Sequence, residues 1–283
     1  MRPKIKPKTI AIIGGRGGMG SMFADAFRKK GYTVLITGRK TALKSIDAAA
    51  RADVVIVTVP IRSTEKVIAE IGPHMKKDTL LTDLTSIKVK PAKAMLKASG
   101  CEVIAGHPLF APKPGFRDQR FILCPVRGKS YVSWYSTFLK SLGVTVITMT
   151  PKEHDKHMAI IQGITHLSNI AMGDSLRKLN YDLKGIDRLS SPVYAIKTHI
   201  IGRIIGQDAS LYADIEIDNP STKKTVRTFR DSVDRLARIV ERGDKPAFER
   251  AFEKIKTYFG PFSKRSMKVT NDIIDGMSKR KGR

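Results

Sequence analysis

The 283-residue sequence has little cysteine and no long apolar run, and both absences exclude classes of protein. Its two cysteines, Cys101 and Cys124, are too few for a disulfide framework or a cysteine-based metal cluster. We interpret them as free thiols, which are typical of a reducing cytoplasm. No apolar run approaches the roughly 20 residues that cross a bilayer, and no apolar signal-peptide core follows the basic N-terminus. The sequence therefore predicts a cytoplasmic, soluble protein with no metal site and no membrane association.

The sequence is also poor in acidic residues, since 26 Asp and Glu stand against 52 Lys and Arg and give a formal net charge of +26. Such a charge often indicates nucleic-acid binding. Here the basic residues are spread along the chain, and no basic run is interleaved with aromatic residues. We therefore expect acidic small molecules, rather than nucleic acid, as the main partners. A basic nucleic-acid-binding protein with a relic dinucleotide fold stays open as the non-enzyme alternative.

Near the N-terminus an apolar segment runs directly into a glycine-rich turn. Residues 10–13, Ile-Ala-Ile-Ile, are typical of a strand buried in a parallel sheet. The glycines that follow fit the pattern G-x-G-x-x-G, in which the first makes the tight turn, the second lets the backbone approach a pyrophosphate and the third lets helix and strand pack closely. The motif predicts that this turn binds a dinucleotide through Gly15, Arg16, Gly17, Gly18, Met19 and Gly20.

The second predicted strand, residues 32–36, lacks the acidic residue that usually follows it to hold the ribose hydroxyls of NAD. No Asp or Glu occurs over residues 31–46, and the strand is followed by Arg39, Lys40 and Thr41. These residues can supply positive charge and a hydroxyl to a 2′-phosphate. The predicted cofactor is therefore NADP. NAD is the alternative, in which Arg39 would stack on the adenine.

Strands and helices alternate to about residue 150, and the pattern is helical after that. We predict an α/β fold in which a Rossmann dinucleotide-binding domain, residues 1–152, is followed by an all-helical domain, residues 153–283. The apolar faces of the long helices predict a homodimer formed through the helical domain. Ligands of such sheets lie at the carboxyl ends of the strands. We therefore expect the end of the third strand to border the cofactor with Thr58, Val59 and Pro60.

His107 is the histidine best placed for catalysis, because it follows a buried strand at the edge of the sheet where the nicotinamide would lie. An imidazole titrates near neutral pH, so it can accept a proton as a hydride leaves. Ser86 follows the neighbouring strand, and its hydroxyl can orient the substrate or the nicotinamide carboxamide. We interpret the other histidines outside residues 162–166 as structural or solvated; they are His74, His154, His157 and His199.

Several segments together resemble a known family. They are residues 14–20 (GGRGGMG), 82–88 (TDLTSIK), 106–112 (GHPLFAP), 153–155 (EHD), 162–166 (QGITH), 202–204 (GRI) and 211–212 (LY). In these segments the sequence resembles the prephenate dehydrogenase family in its compact archaeal-like form, over residues 9–219. The resemblance implies oxidative decarboxylation of prephenate to 4-hydroxyphenylpyruvate in tyrosine biosynthesis, with hydride transfer to NAD(P).

The resemblance also implies a role for each matching side chain. His107 would accept the proton of the ring hydroxyl, and Ser86 would bridge the hydroxyl, the histidine and the nicotinamide. Arg203 would grip a substrate carboxylate, which suits a bidentate guanidinium. His166 would be a further substrate-site histidine, and Tyr212 stands where relatives place an aromatic residue that reaches toward the partner subunit's site. Gln162 stands where relatives vary, but it lies four residues before His166 on one helix face, so both can point into the same cleft.

Two enzyme alternatives stay open. One is an arogenate dehydrogenase, whose substrate carries an amino group in place of the keto group. The other is a different two-domain NADP reductase, such as an imine reductase or a β-hydroxyacid dehydrogenase. That class usually has a lysine–asparagine pair on the first long helix, but Asn169 has no lysine four residues away, at Thr165 or Gly173. After residue 219 no β-α-β pattern of an amino-acid-binding module follows, so the resemblance implies no feedback inhibition through such a module.

Overall fold

The computed structural model of the chain describes residues 5–113 and 115–281. Residues 1–4 and 282–283, the ends of the two predicted domains, lie outside the described residues. The chain forms two compact units, one of residues 1–161 with 210–222 and the other of residues 162–209 with 223–283. The first unit therefore runs past the boundary predicted at residue 152 and also includes a segment from later in the chain.

The first unit contains a seven-stranded sheet. Its strands are β1 (Thr9–Ile13), β2 (Thr33–Thr37), β3 (Val54–Val57), β4 (Leu80–Asp83), β5 (Glu102–Pro108), β6 (Arg120–Arg127) and β7 (Thr145–Thr148). The strand order is β2-β1-β3-β4-β5-β6-β7. The first five strands are parallel, whereas β6 runs antiparallel to β5 and β7 runs parallel to β6. The predicted Rossmann fold is confirmed, and the reversed direction of β6 and β7 is an addition to it.

Thirteen α-helices are present in the described residues. They are α1 (Gly18–Lys29), α2 (Ser45–Arg51), α3 (Ile61–Ile71), α4 (Val89–Ala98), α5 (Ser130–Lys140), α6 (Pro151–Met158), α7 (Thr165–Lys178), α8 (Ile186–Leu189), α9 (Pro192–Ile205), α10 (Ala209–Asp218), α11 (Thr222–Glu241), α12 (Lys245–Phe259) and α13 (Pro261–Lys281). Short 3-10 turns lie at Gly72–His74 and Leu183–Gly185. Among the helices described, none is both long and apolar enough to pass through a bilayer.

The core of the first unit has two layers, one on each face of the sheet. Alternate residues of a strand point to opposite faces. In β1, Ile10 and Ile12 accordingly belong to the layer beneath α1 and α5, whereas Ala11 and Ile13 belong to the layer beneath α2, α3 and α4. Both faces are therefore covered, as the continuous apolar run in the sequence predicts.

The second unit is helical, as predicted. Within it α7 packs closely against α9, because Gly173 has no side chain: a Cβ there would lie 3.2 Å from Cγ2 of Ile201. The single helix predicted to carry Gln162 and His166 is not regular over its whole length. α6 ends at Met158, a π-helical segment occupies Ala159–Ile164, and α7 begins at Thr165.

Helix α10 was not predicted, and it belongs to the first unit although its neighbours in sequence belong to the second. Nη2 of Arg62 lies 3.0 Å from Oδ1 of Asp214, so an ion pair joins α3 to α10. Ile215 packs with Ile61 and with Ile87 in a small buried cluster. These contacts place Tyr212, the predicted aromatic residue of α10, on the dinucleotide-binding unit.

Candidate active site

The glycine turn after β1 is built from packing at some positions and from open space at others. Gly14 has a left-handed conformation with φ +85°, and its N–H donates to the Thr37 carbonyl at 2.8 Å. The tight turn is therefore made at Gly14, and its assignment to Gly15 is corrected. A Cβ on Gly15 would lie 2.8 Å from Cγ2 of Ile36, so Gly15 serves the packing of β1 on β2.

The two other motif glycines differ in the same way. A Cβ on Gly20 would lie 2.7 Å from Oγ1 of Thr58, so this glycine lets α1 approach the sheet. At Gly17 the nearest atom to such a Cβ is the Gly14 carbonyl oxygen, at 3.4 Å. The protein itself does not forbid a side chain at Gly17. Its absence keeps the space above the turn open for a ligand, as the second glycine of a dinucleotide motif requires.

Helix α1 begins at Gly18, directly after this turn, and presents its amino-terminal N–H groups there. No side chain of the described residues caps the helix, and its first turn has no acidic residue. The uncapped N–H groups and the positive end of the helix dipole form a site for an anion. A dinucleotide diphosphate therefore fits this turn.

A cavity of about 1220 Å³ opens beside the glycine turn. Of the residues predicted to bind the cofactor, it is lined by Arg16, Gly17, Arg39, Lys40, Thr58, Val59 and Pro60. Gly15, Gly18, Met19, Gly20 and Thr41 do not line it. The structure thus brings the ends of β1, β2 and β3 to one cavity.

The cavity is rich in positive charge. Arg16, Arg39, Lys40 and Lys66 line it, and within the described residues none of the four has a carboxylate partner. Glu70 is the one acidic residue in the lining that the structure describes. Lys66 of α3 was missed from the sequence, because nothing in its local pattern shows that α3 turns this face toward the end of β2.

Thr41 shapes the turn that carries Arg39 and Lys40. Its hydroxyl accepts the N–H of Gly38 at 2.9 Å and donates to the Gly38 carbonyl at 2.8 Å. These bonds close the turn of residues 38–41 on itself. In this structure the Thr41 hydroxyl therefore supports the two cations rather than facing the cavity.

His107 lies inside β5 rather than directly after it, and its backbone is paired with Ile122 of β6. The pairing of β5 with β4 ends at Ala105, so His107 stands past the carboxyl end of β4. The loop that follows reaches the start of α1, since a Cβ on Gly18 would lie 2.9 Å from Cγ of Pro112. The predicted catalytic histidine therefore lies in the strand whose following loop contacts the predicted dinucleotide turn.

The imidazole of His107 is buried, with 2% of its surface exposed, and contacts a second histidine. Nδ1 of His107 lies 2.8 Å from Nε2 of His154, and Nδ1 of His154 lies 2.8 Å from Oδ1 of Asp155. Burial lowers the pKa of His107 well below 6.5, and the nearby His154 and Lys88 lower this pKa further. A neutral imidazole at neutral pH is able to accept a proton. The sequence interpretation of His154 as structural or solvated missed this contact.

A buried ion pair supports the loop that carries Ser86. Lys88 and Asp83 are both fully buried and pair with each other, and Nζ of Lys88 also donates to the Gly106 carbonyl at 2.6 Å. Asp83 Oδ2 further accepts the N–H of Thr85 at 3.0 Å. The loop between β4 and α4 is thereby held against β5. Within the described residues, the half-buried Ser86 makes no side-chain hydrogen bond, which leaves its hydroxyl for a substrate.

The other predicted substrate residues lie in the second unit, apart from Tyr212. Gln162 belongs to the π-helical segment and His166 to the first turn of α7, so they do not share one regular α-helix. Such segments are frequent at functional sites. Arg203 lines a cavity of about 910 Å³ together with Arg177 and His199. That the second-unit residues converge with His107 stays a prediction.

Comparisons with known proteins cover most of the chain. Residues 37–148 match the model "Prephenate dehydrogenase, nucleotide-binding domain", and residues 150–254 match "Prephenate dehydrogenase, dimerization domain". The T-protein of Haemophilus influenzae is 33% identical over 94% of this chain and 71% of its own length. The chain belongs to the prephenate dehydrogenase family. The sequence resemblance is therefore confirmed, although the glycine turn precedes the residues matched by the first model.

Other members of the prephenate dehydrogenase family are similar as well. A protein of Methanocaldococcus jannaschii named as a probable arogenate/prephenate dehydrogenase is 40% identical over 94% of this chain, which spans 64% of that protein. The crystal structure of Aquifex aeolicus prephenate dehydrogenase with hydroxyphenyl propionate and NAD+ has a TM-score of 0.69 and 19% identity. The alignment covers 90% of this chain and 98% of the Aquifex chain. At this identity the likeness shows the common fold.

Proposed function

We propose that the chain catalyses the oxidative decarboxylation of prephenate to 4-hydroxyphenylpyruvate and carbon dioxide. The observation that carries the proposal is the buried imidazole of His107, which lies in the strand whose following loop reaches the glycine turn. Family membership supports the reaction class, and the substrates named for relatives include both prephenate and arogenate. The chain spans 64% of the length of the Methanocaldococcus protein, and the activity is proposed for this chain alone.

In the proposed reaction each group of the site has one task. A dinucleotide would be held by the glycine turn and by the cations that line the neighbouring cavity, and its nicotinamide would supply the acceptor for the hydride of the ring carbon that bears the hydroxyl. His107 accepts the hydroxyl proton at Nε2, which turns the oxygen into a carbonyl, and Ser86 donates a hydrogen bond to that oxygen. Loss of carbon dioxide then makes the ring aromatic. The proton held on His107 returns to the ring oxygen, so protons and electrons balance.

We propose four further residues that bind the substrate. Arg203 would bind a substrate carboxylate, because its exposed guanidinium has no carboxylate partner within the described residues. Gln162 and His166 would contribute polar contacts, since His166 resembles a substrate-site histidine of the family and Gln162 lies four residues before it. Tyr212 would reach the site of the partner subunit.

We also propose NADP as the preferred cofactor. The end of β2 offers Arg39 and Lys40 in place of an acidic residue, and Arg16 and Lys66 line the same cavity. A cluster of cations suits a 2′-phosphate and does not favour the uncharged ribose hydroxyls of NAD. Relatives named prephenate dehydrogenase [NADP(+)] include the protein of Saccharomyces cerevisiae, which is 25% identical.

A homodimer through the helical domain is part of the proposal. Residues 150–254 match the dimerization domain of the family. Large apolar side chains are exposed on the second unit, including Leu189 (71%) and Tyr194 (70%). Burying such side chains is worth about 25 cal/mol per Å². We further propose that the protein works in the cytoplasm, where Cys101 and Cys124 would stay reduced.

The test is a grid of two substrates and two cofactors. Purified protein is mixed with prephenate or arogenate and with NADP or NAD, and the absorbance of reduced nicotinamide and the release of carbon dioxide are measured together. We expect both products in equal amounts, with prephenate and NADP as the best pair. Turnover with arogenate but not with prephenate would show that arogenate is the substrate. No turnover with either compound would contradict the proposed function.

A further inference from the structure

Two hydrogen bonds connect His107 to a buried carboxylate. The first joins Nδ1 of His107 to Nε2 of His154 at 2.8 Å, and the second joins Nδ1 of His154 to Oδ1 of Asp155 at 2.8 Å. His154 and Asp155 are almost completely buried, with 0% and 1% of their surfaces exposed. Solvent therefore does not replace either bond, and the three side chains form one closed network.

The direction of these hydrogen bonds is fixed from the carboxylate end. Oδ1 of Asp155 also accepts the backbone N–H of Lys88 at 2.8 Å, and Oδ2 accepts that of Val89 at 3.0 Å. An ionised carboxylate can only accept hydrogen bonds. Nδ1 of His154 must therefore be the donor in its bond to Asp155.

The remaining protons follow from this one. Burial lowers the pKa of His154, so the ring is neutral at neutral pH and carries a single N–H. Because that N–H is on Nδ1, Nε2 of His154 is an acceptor, and Nδ1 of His107 must donate to it. His107 is neutral too, so its Nε2 carries the lone pair. Within the described residues, Nε2 of His107 makes no hydrogen bond.

We propose that His154 and Asp155 are positioning residues that hold His107 in the tautomer with its proton on Nδ1 and its lone pair on Nε2. The inference rests on the proposed function only in giving Nε2 of His107 the task of accepting the substrate proton. The tautomer itself follows from the geometry of the free protein. The opposite order of protons would set the lone pair of His154 Nδ1 against the Asp155 carboxylate, in a place that water does not reach.

The direct test is the ¹⁵N NMR spectrum of the protein labelled at histidine. A nitrogen that carries a proton resonates far from one that carries a lone pair, so the pattern of cross-peaks to the ring carbon protons identifies the tautomer. In the full-length protein without ligand we expect His107 to be protonated on Nδ1 alone. Difference spectra against His107→Gln and His154→Phe assign the signals. A His107 ring protonated on Nε2 would overturn the proposal.

Substitution then separates positioning from packing. His154→Phe keeps an aromatic ring but no acceptor, so we expect the Nε2-protonated form of His107 to become populated and kcat to fall about tenfold, the order of one lost hydrogen bond. His157→Phe is the matched control, since His157 is exposed on the same helix. It should change neither the spectrum nor kcat. A His154→Phe protein with the parent tautomer would contradict the role of His154, and this result needs no substrate.

Asp155 is tested through its dependence on His154. Asp155→Asn replaces a charged acceptor with a neutral one, and we expect kcat to fall in the parent protein. In the His154→Phe background the same change should have no further effect on kcat, because Asp155 acts on His107 only through His154. Equal losses in the two backgrounds would show that Asp155 supports the fold alone. If no variant turned over any substrate, the proposed function would fail, whereas the NMR result would still decide the tautomer.

Discussion

The preference for NADP is the prediction that the cavity beside β2 supports most specifically. Arg39→Ala removes one exposed cation and leaves the glycine turn and the turn of residues 38–41 intact, since Thr41 closes that turn with its own hydroxyl. A hydrogen bond to a charged group is worth about 1.5–3 kcal/mol, or roughly 10- to 150-fold. Because Arg16, Lys40 and Lys66 keep part of the positive field, we expect the lower end.

The assay is kcat/KM with each cofactor at saturating prephenate. For Arg39→Ala we expect kcat/KM to fall about tenfold with NADP and to stay unchanged with NAD, because NAD has no 2′-phosphate for Arg39 to bind. Added salt should narrow the difference, because the cations are exposed. Arg51→Ala is the matched control, an exposed arginine of the same unit that does not line the cavity. An unchanged cofactor ratio in Arg39→Ala, or an equal change in Arg51→Ala, would refute the phosphate argument.

Three further substitutions or conditions test the site. Lys88→Met leaves Asp83 buried without its cation and should lower the free energy of unfolding, measured with urea, by about 3–5 kcal/mol. The control is Lys90→Met, which should lower it by about 1 kcal/mol or less because the ion pair of Lys90 with Asp218 is partly exposed. Equal losses in the two variants would contradict the role of the buried pair. Since the pKa of His107 is lowered, the acidic limb of the pH profile of kcat/KM should lie below pH 6.5, and a limb above pH 6.5 would contradict this. As the pH drops below about 6.5, the unfolded state should bind a proton at this histidine before the folded state does, so the free energy of unfolding should fall. Arg203→Ala should chiefly raise KM for prephenate, and Arg203→Lys should not restore the parent KM. Arg177→Ala should raise KM less, because Arg177 is already paired with Asp174. Identical saturation curves for Arg203→Ala and the parent would contradict carboxylate binding by Arg203.

The first unit was predictable because its sequence patterns are local. The apolar run of β1 and the glycine turn are each specified by a few adjacent residues, and the structure shows them in order, with α1 beginning at Gly18 directly after the turn. The tight turn was predicted one residue late, at Gly15 rather than at Gly14, since both positions are glycine. The φ of +85° at Gly14 and the packing of Ile36 against Gly15 show which of them turns.

The features that the sequence did not reveal depend on distant contacts. The direction of β6 is set by its pairing with β5 rather than by its composition. Helix α10 joins the first unit through Arg62, Asp214 and Ile215, which are unremarkable in isolation. The hydrogen bond of His107 with His154 joins residues 47 positions apart, and nothing in the local sequence around His154 indicates its partner.

The central claim is that His107 accepts the substrate proton while the nicotinamide takes the hydride. The most direct measurement is the single-turnover rate of His107→Ala with prephenate and NADP, followed by reduced-nicotinamide absorbance, beside the affinity of the variant for NADP. General-base catalysis contributes about 10²- to 10⁴-fold, so we expect a loss of that size with cofactor affinity unchanged. A variant that turned over prephenate at the parent rate would contradict the account.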